Sequence, residues 1–195
     1  MPYYVFGVEP NVFFKEQLKL IPPGKILLAA EGEGRNGVYA ALQGWMVSAF
    51  DISEEGYSKA MKLAAEKNVV INYQLGDLPS LHFEPESFDA LALIYAHFSA
   101  DVKSYYHQQL IKYLKPGGVV IFEAFSKQHL PYQSRNPQVG GPKDIAMLFS
   151  IDELRRDFPD FHISYLAEEV VRLEEGPRHS GEGSVVRFVG KKKSA

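Results

Sequence analysis

The 195-residue sequence contains no cysteine. Disulfides and thiolate metal sites are therefore excluded, and a reducing, cytoplasmic location is expected. Long apolar runs are also missing. The longest, Ala90 to Ala96, is far too short to span a bilayer, and Met1 to Gly7 hold neither a basic segment nor an apolar core of signal-peptide length. No membrane partner is expected. There is no basic excess either: 21 Lys and Arg stand against 24 Asp and Glu, which leaves no electrostatic footprint for nucleic acid. The one basic run, Lys191-Lys192-Lys193, reads as a solvated tail. His82, His107, His129 and His162 lack ligand spacing, so no metal site is expected.

What is present reads as a single domain, 1–195, with a core of ordinary size. Asn11 to Leu20 has the pattern of a short amphipathic helix capped by Asn11 and stopped by Pro22-Pro23-Gly24. Lys25 to Ala30 is an apolar strand without polar alternation, the fully buried kind. A helix over Asn36 to Gln43, a strand over Val47 to Ile52 and a helix capped by Ser53 and running to about Lys67 follow. Strands are expected over Val69 to Leu75, Phe88 to Tyr95 and Val119 to Phe125, with a helix over Asp101 to Leu114 and a turn at Lys115-Pro116-Gly117-Gly118. This alternation demands right-handed crossovers and a parallel sheet covered on both faces.

The rhythm then changes. Residues 126–143 read as a polar loop, long enough to suggest function or disorder. A helix over Ser150 to Asp157 is followed by two strands, His162 to Leu173 and Ser184 to Val189, with no helix between them, so they should pair antiparallel.

The richest segment is Leu27-Leu28-Ala29-Ala30-Glu31-Gly32-Glu33-Gly34-Arg35-Asn36-Gly37: an apolar strand, a glycine turn and a helix, with Asp51 ending the next strand. This is the front half of a nucleotide-type cofactor site, and by glycine spacing alone it suits NAD as well as S-adenosylmethionine. Glu31 and Glu33 separate the two. A pyrophosphate would meet like charges there, at about 1 kcal/mol per pair even in water-like surroundings. An ammonium and a sulfonium are favoured instead, although Arg35 could answer a phosphate. Asp77, directly before Leu78, can accept the exocyclic amine of adenine while Leu78 lies against the ring, and the antiparallel finish replaces a second crossover half. S-adenosylmethionine is the favoured cofactor.

On these residues, together with Asp51-Ile52-Ser53, Gly76-Asp77-Leu78, Phe88-Asp89, Leu114-Lys115-Pro116-Gly117-Gly118 and Gly183 to Gly190, the sequence resembles the class I S-adenosylmethionine-dependent methyltransferases. It resembles particularly their compact bacterial branch, which includes tellurite-resistance-type enzymes. The resemblance implies an α/β, three-layer Rossmann-like fold with a seven-stranded, mostly parallel sheet and an antiparallel last strand. It implies that Glu31, Gly32, Gly34 and Arg35 hold the methionine part, Asp51 with Ile52 and Ser53 the ribose, and Asp77 with Leu78 the adenine. Two positions depart from the family pattern: Leu28 stands where many members carry an acid, and Ala30 where they carry glycine.

Tyr95 and His97 follow the fourth strand at the carboxyl edge, where open α/β sheets place ligands. His97 is a candidate general base or substrate contact. His179, with Arg178, is a second candidate, since similar enzymes carry a histidine and basic residues in this loop near the transferable methyl. Residues 126–143, with Tyr132, Arg135 and Lys143, are expected to lie over the site and grip a polar or anionic small molecule. Tyr3, Tyr4 and Phe6, in a cover segment over 1–24, either close over the cofactor or patch the core. The expected activity is methyl transfer to a small-molecule acceptor, such as a thiol or chalcogen oxyanion, by a monomer or homodimer. A non-catalytic protein that binds S-adenosylmethionine or S-adenosylhomocysteine, and an NAD-dependent oxidoreductase, are the alternatives.

Overall fold

Strands as uniformly apolar as Ile26 to Ala29 and Ala90 to Ile94 must be covered on both faces, and helices lie on both sides of the sheet in the computed structural model, which describes residues 3–194. Met1 and Pro2, the start of the expected cover segment, and Ala195 lie outside the described residues. The order is α1 (Val12–Leu18), β1 (Lys25–Ala29), α2 (Arg35–Leu42), β2 (Met46–Asp51), α3 (Glu54–Glu66), β3 (Asn72–Leu75), β4 (Phe88–Ile94), α4 (Lys103–Tyr113) and β5 (Leu114–Phe125). Then come α5 (Leu130–Arg135), α6 (Ile151–Asp157), β6 (Phe161–Glu174) and β7 (Ser180–Lys192).

The strands form one seven-stranded sheet ordered β3-β2-β1-β4-β5-β7-β6. β1 to β5 pair in parallel, and β7 inserts between β5 and β6 antiparallel to both. This is the expected architecture, including the antiparallel finish. On one face Leu27, Leu91, Leu93 and Phe122 pack with Tyr106 and Leu110 of α4 and Leu154 of α6. On the other, Ile26, Leu28, Ala92 and Ile121 pack with Phe14 of α1, Val38 of α2 and Leu63 of α3. Each such side chain contributes about 1.5–3 kcal/mol of burial. Leu28 is thus a core residue, and the acid that family members carry there is replaced by packing.

The caps are where the sequence puts them. Asn11 Oδ1 accepts the Phe14 N–H at 2.9 Å, and Ser53 Oγ accepts the Gly56 N–H at 3.0 Å. Elsewhere the structure corrects the sequence reading. β3 begins only at Asn72, because the Val69 N–H is spent on Ala64 O in closing α3, and Val70 is exposed. Lys115 to Gly118 is an excursion inside β5, where pairing jumps from Leu114–Phe88 to Val119–Ala90. The basic run is not a free tail: Lys191 and Lys192 belong to β7, and Lys192 Nζ donates to Leu114 O (2.7 Å) and Ile111 O (3.1 Å), capping the end of α4.

Residues 126–143 also differ from an open loop. They fold into α5 flanked by single 3-10 turns at Lys127–His129 and Pro137–Val139, started by Ser126 and Asn136 as caps. Asn136 Nδ2 donates to Ser180 O, and the Ser184 N–H donates to His129 Nδ1, so the segment is tied to β7.

Candidate functional site

β1 delivers the chain to its carboxyl edge, where Ala30 turns it at φ +52. A non-glycine residue in the left-handed region costs about 1–2 kcal/mol. The turn is held nonetheless: the Glu31 N–H donates to Phe50 O, the Gly32 N–H to Asp51 Oδ2 (3.0 Å), and Tyr73 Oη to Gly32 O (2.7 Å). The loop therefore keeps the conformation that a glycine at 30 would adopt freely. Gly34, at φ +85, does not face the cavity described below. A Cβ on it would lie 2.5 Å from Ala60 Cβ, so its role is the close approach of α2 to α3.

The two loop glutamates have different fates. Glu31 is 8% exposed, and its Oε1 accepts the Gly37 N–H at 2.6 Å, supplying the cap that Gly34 cannot give to α2. Burial pushes its carboxyl up to about 7, against the opposing pull of the Gly37 N–H and the Arg35 charge. Glu33 turns to the chain itself: Oε2 accepts the Val5 and Phe6 N–H groups (2.8 and 3.3 Å), and Oε1 binds Lys59 Nζ at 2.7 Å. Its charge is already answered, so only Glu31 carries the electrostatic argument for a cationic ligand. Arg35 is also committed, with Nη1 on Phe6 O (3.2 Å) and Nη2 on Glu175 Oε2 (3.1 Å), and is not available to a phosphate.

These bonds draw Val5 to Gly7 across the loop as a strap. Gly176 passes beneath it so closely that a Cβ there would meet Gly7 N at 2.6 Å. Phe6 lines the site, Tyr4 Oη donates to Lys59 O, and Tyr3 is exposed. The strap bounds a cavity of about 1000 Å³ whose floor is Ala30, Glu31, Gly32 and Arg35. Ile94, Tyr95, His97 and Phe125 form the strand-end wall, Leu130 to Lys143 contribute the roof, and Pro177 to His179 the third side.

Other cofactor candidates lie along the same edge but outside the cavity wall. Asp51 Oδ2 and Oδ1 accept from Gly32 N and Ser53 N (2.9 Å), and Ile52 beside them is 73% exposed, an apolar face on open solvent. Asp77 accepts from its neighbour Leu78 N and from Tyr106 Oη, both at 2.8 Å. Leu78 differs from expectation: its side chain is buried in the core and offers no surface to a ring.

Tyr95 sits at φ +53 and donates to Glu123 Oε1 at 2.9 Å, and burial and the Glu123 charge push its phenol well above the usual range. Glu123 also receives Asn11 Nδ2 (2.7 Å) and Arg187 Nε (2.6 Å). His97 is not the open base the sequence suggested. Its Nε2 accepts the Phe125 N–H at 3.3 Å, so Nδ1 carries the proton and donates to Met147 O at 3.2 Å. Burial pushes its pKa down to about 4, which keeps the ring neutral, and both nitrogens serve the fold.

His179 is arranged differently. Its Nδ1 meets Glu175 Oε2 at 3.1 Å, and it sits among Phe6, Tyr95 and Phe125 with ring centroids at 4.7, 4.5 and 5.3 Å. Burial works against the charge of Glu175, but the His179 bond and the Arg35 charge bring its carboxyl down to about 2. An ionised carboxylate only accepts, so Nδ1 donates to Glu175, and Nε2 has no hydrogen-bond partner among the described residues on a ring that lines the cavity. Glu175 escaped the sequence reading, although Glu175 and His179 are four residues apart in a polar segment. Of the expected grip, Lys143 lines the cavity, whereas Arg135 lies over the Tyr132 ring at 4.9 Å and both stand outside it; Arg178, expected beside His179, lines the cavity as well.

Residues 26–118, just under half of the chain, match a family model described as a methyltransferase domain. A 63-residue stretch is 41% identical to a sterol 24-C-methyltransferase of Clavispora lusitaniae, covering 32% of this chain and 16% of that protein. The match thus spans about a sixth of that relative's length. Among solved structures, one reported for the conversion of a disulfide bond into a thioacetal group during echinomycin biosynthesis is similar at a TM-score of 0.77 and 21% identity, over 97% of this chain and 84% of that one. TehB from Haemophilus influenzae is similar at 0.74 and 17%, over 92% and 61%. At these identities the likeness is one of fold. Sheet order and domain match agree: the chain has the Rossmann-like fold of these methyltransferases, and residues 26–118 carry the methyltransferase-domain match.

Proposed function

We propose that the protein catalyses methyl transfer from S-adenosylmethionine to a small-molecule acceptor. The observation that carries this is Glu31: a buried carboxylate at the N-terminus of α2, on the floor of a cavity with room for a nucleoside and a second small molecule. A pyrophosphate at that helix end would meet this carboxylate, and Arg35, the cation of the glycine loop, is held by Glu175 and Phe6 O. An ammonium is favoured there instead.

S-adenosylmethionine, when bound, supplies a methyl on a sulfonium, an electrophile with a good leaving group. The chain's residues would then bind, orient and exclude water. Glu31 would hold the amino-acid end through its carboxylate, with Gly32 and Tyr95 beside it. Asp51 offers its remaining lone pairs to ribose hydroxyls, with Ile52 and Ser53 flanking. Asp77 would take an adenine amine, and the exposed Ile52 would cover the ring face in place of Leu78. The strap with Phe6 would close the cavity over a bound cofactor. A sulfur or chalcogen acceptor suits the aromatic wall, and the fold neighbour from echinomycin biosynthesis is described by sulfur chemistry.

Calorimetry with S-adenosylmethionine, S-adenosylhomocysteine and NAD tests the reading. The first two are expected to bind, and Asp51→Ala to weaken both about tenfold or more through lost charge-assisted hydrogen bonds. Binding of NAD alone would refute it. Binding without turnover across thiols, amines and phenols would leave a binding protein rather than an enzyme.

A further inference from the structure

The methyl-transfer reading leaves one arrangement in the cavity wall unexplained. The buried carboxylate of Glu175 is held on two sides, by Arg35 Nη2 on Oε2 at 3.1 Å and by Asn11 Nδ2 on Oε1 at 2.8 Å, and still spends Oε2 on His179 Nδ1. Neither Arg35 nor Asn11 lies near Glu175 in sequence, so three separate elements converge to fix one carboxylate behind one imidazole. The core histidine His107 also has a carboxylate on Nδ1, Asp157 at 2.7 Å, but it does not line the cavity. His97, in the strand-end wall of the same cavity, is satisfied by two backbone groups alone.

We infer that Glu175 is a positioning residue that aims His179 Nε2 into the cavity to take the proton of a small anionic thiol. This rests on the methyl-transfer reading and names its acceptor. Lys143 and Arg178 line the cavity, and neither joins an ion pair among the described residues, so the wall presents positive charge that attracts an anion and repels an ammonium. Around His179 the rings of Phe6, Tyr95 and Phe125 form a polarisable surface suited to sulfur. An ordinary thiol is mostly protonated near neutral pH and must lose its proton to become the nucleophile.

In the step, the S–H proton passes to His179 Nε2, and the thiol's electron pair forms the new S–CH3 bond. The methyl–sulfonium bond breaks with its pair on the departing sulfur. The products are a thioether, S-adenosylhomocysteine and an imidazolium beside the Glu175 carboxylate. Arg35 keeps that carboxylate in place and ionised throughout.

The test pairs two carboxylated thiols: 3-mercaptopropionate, protonated at neutral pH, and 5-thio-2-nitrobenzoate, already a thiolate. The wild type is expected to methylate both. His179→Asn is expected to lose about 10²-fold or more in kcat on the first and far less on the second. Glu175→Gln should follow the same pattern, with Glu175→Asp recovering part of the loss. Binding of S-adenosylhomocysteine to each variant confirms that it is folded. Independently of turnover, ¹⁵N spectra of histidine-labelled protein should place the proton of His179 on Nδ1 in the wild type, with a share moving to Nε2 in Glu175→Gln. Equal losses on both thiols, an unchanged tautomer, or no methylation of either thiol by wild type that binds S-adenosylhomocysteine would each overturn the inference. Failure to bind S-adenosylhomocysteine at all would instead remove the methyl-transfer reading beneath it.

Discussion

Replacing Glu31 by glutamine should stabilise the ligand-free protein while weakening its hold on the cofactor. The carboxyl of Glu31 sits at about 7 in the fold against a usual value of 4.5, so its folded pKa is raised. Below pH 4.5 both folded and unfolded states hold the proton and no stability is lost. Between 4.5 and 7 the unfolded chain ionises and the fold does not, so stability falls by about 1.4 kcal/mol per pH unit. Above 7 the loss is complete, at about 3 kcal/mol. Glutamine keeps an oxygen for the Gly37 N–H and has no charge to bury. Denaturant unfolding at pH 5 and pH 8 should therefore show a steeper fall for wild type than for Glu31→Gln. The variant should be more stable at pH 8 by up to about 3 kcal/mol, or roughly 6–10 °C in Tm. Its affinity for S-adenosylmethionine should drop about tenfold or more, because the ammonium loses a charged acceptor worth about 1.5–3 kcal/mol. If Glu31→Gln were no more stable at pH 8 than wild type, or bound the cofactor as tightly, the assignment of Glu31 as a buried carboxylate kept for a cationic ligand would be wrong.

The same loop yields two further expectations. Ala30→Gly should raise stability by about 0.5–1 kcal/mol, since relief at φ +52 exceeds the added freedom of the unfolded chain, and thermal unfolding reads it directly. Gly34→Ala should destabilise by about 2 kcal/mol or more through the Ala60 clash and the left-handed backbone, and a normal Tm would refute the packing role. His97, with its folded pKa lowered to about 4 from 6.5, contributes stability that is present above pH 6.5 and lost as pH falls toward 4. His97→Gln should therefore flatten the acid side of the stability curve without selective loss on either thiol.

Much of this architecture is legible because its signals are local. Ile26 to Ala29 of β1, Ala90 to Ile94 of β4 and Val119 to Phe122 of β5 are continuous apolar runs, Asn11, Ser53 and Ser150 are caps beside the N–H groups they bind, and β6 and β7 meet without a helix between them. The cavity is legible only in part, for the opposite reason. Glu175 reaches Arg35 across 140 residues of sequence and Asn11 across 164, and no spacing rule reports such a meeting. Glu33 and Arg35 looked like ligand groups because their partners, the backbone of Val5 and Phe6, carry no sequence signature. His97 looked available because its two acceptor and donor partners are main-chain atoms. In 126–143 the caps Ser126 and Asn136 and the prolines at 131 and 137 did mark helical turns, but polar composition outweighed them.

The place of β7 has a consequence for how the chain reaches this state. The strand that joins β5 to the edge strand β6 is the last of the seven in sequence. Until it arrives, β5 offers Ile121, Phe122, Ala124 and Phe125 along an unpaired edge, and β6 has no neighbour at all. Lys192, which closes α4, also waits for that strand. A chain emerging from the ribosome would therefore hold β1 to β5 with an open, aggregation-prone edge for the whole time needed to make residues 126–192. The most vulnerable moment of this protein comes just before its synthesis reaches β7, and damage to β7 should appear as lost soluble yield before it appears as lost activity.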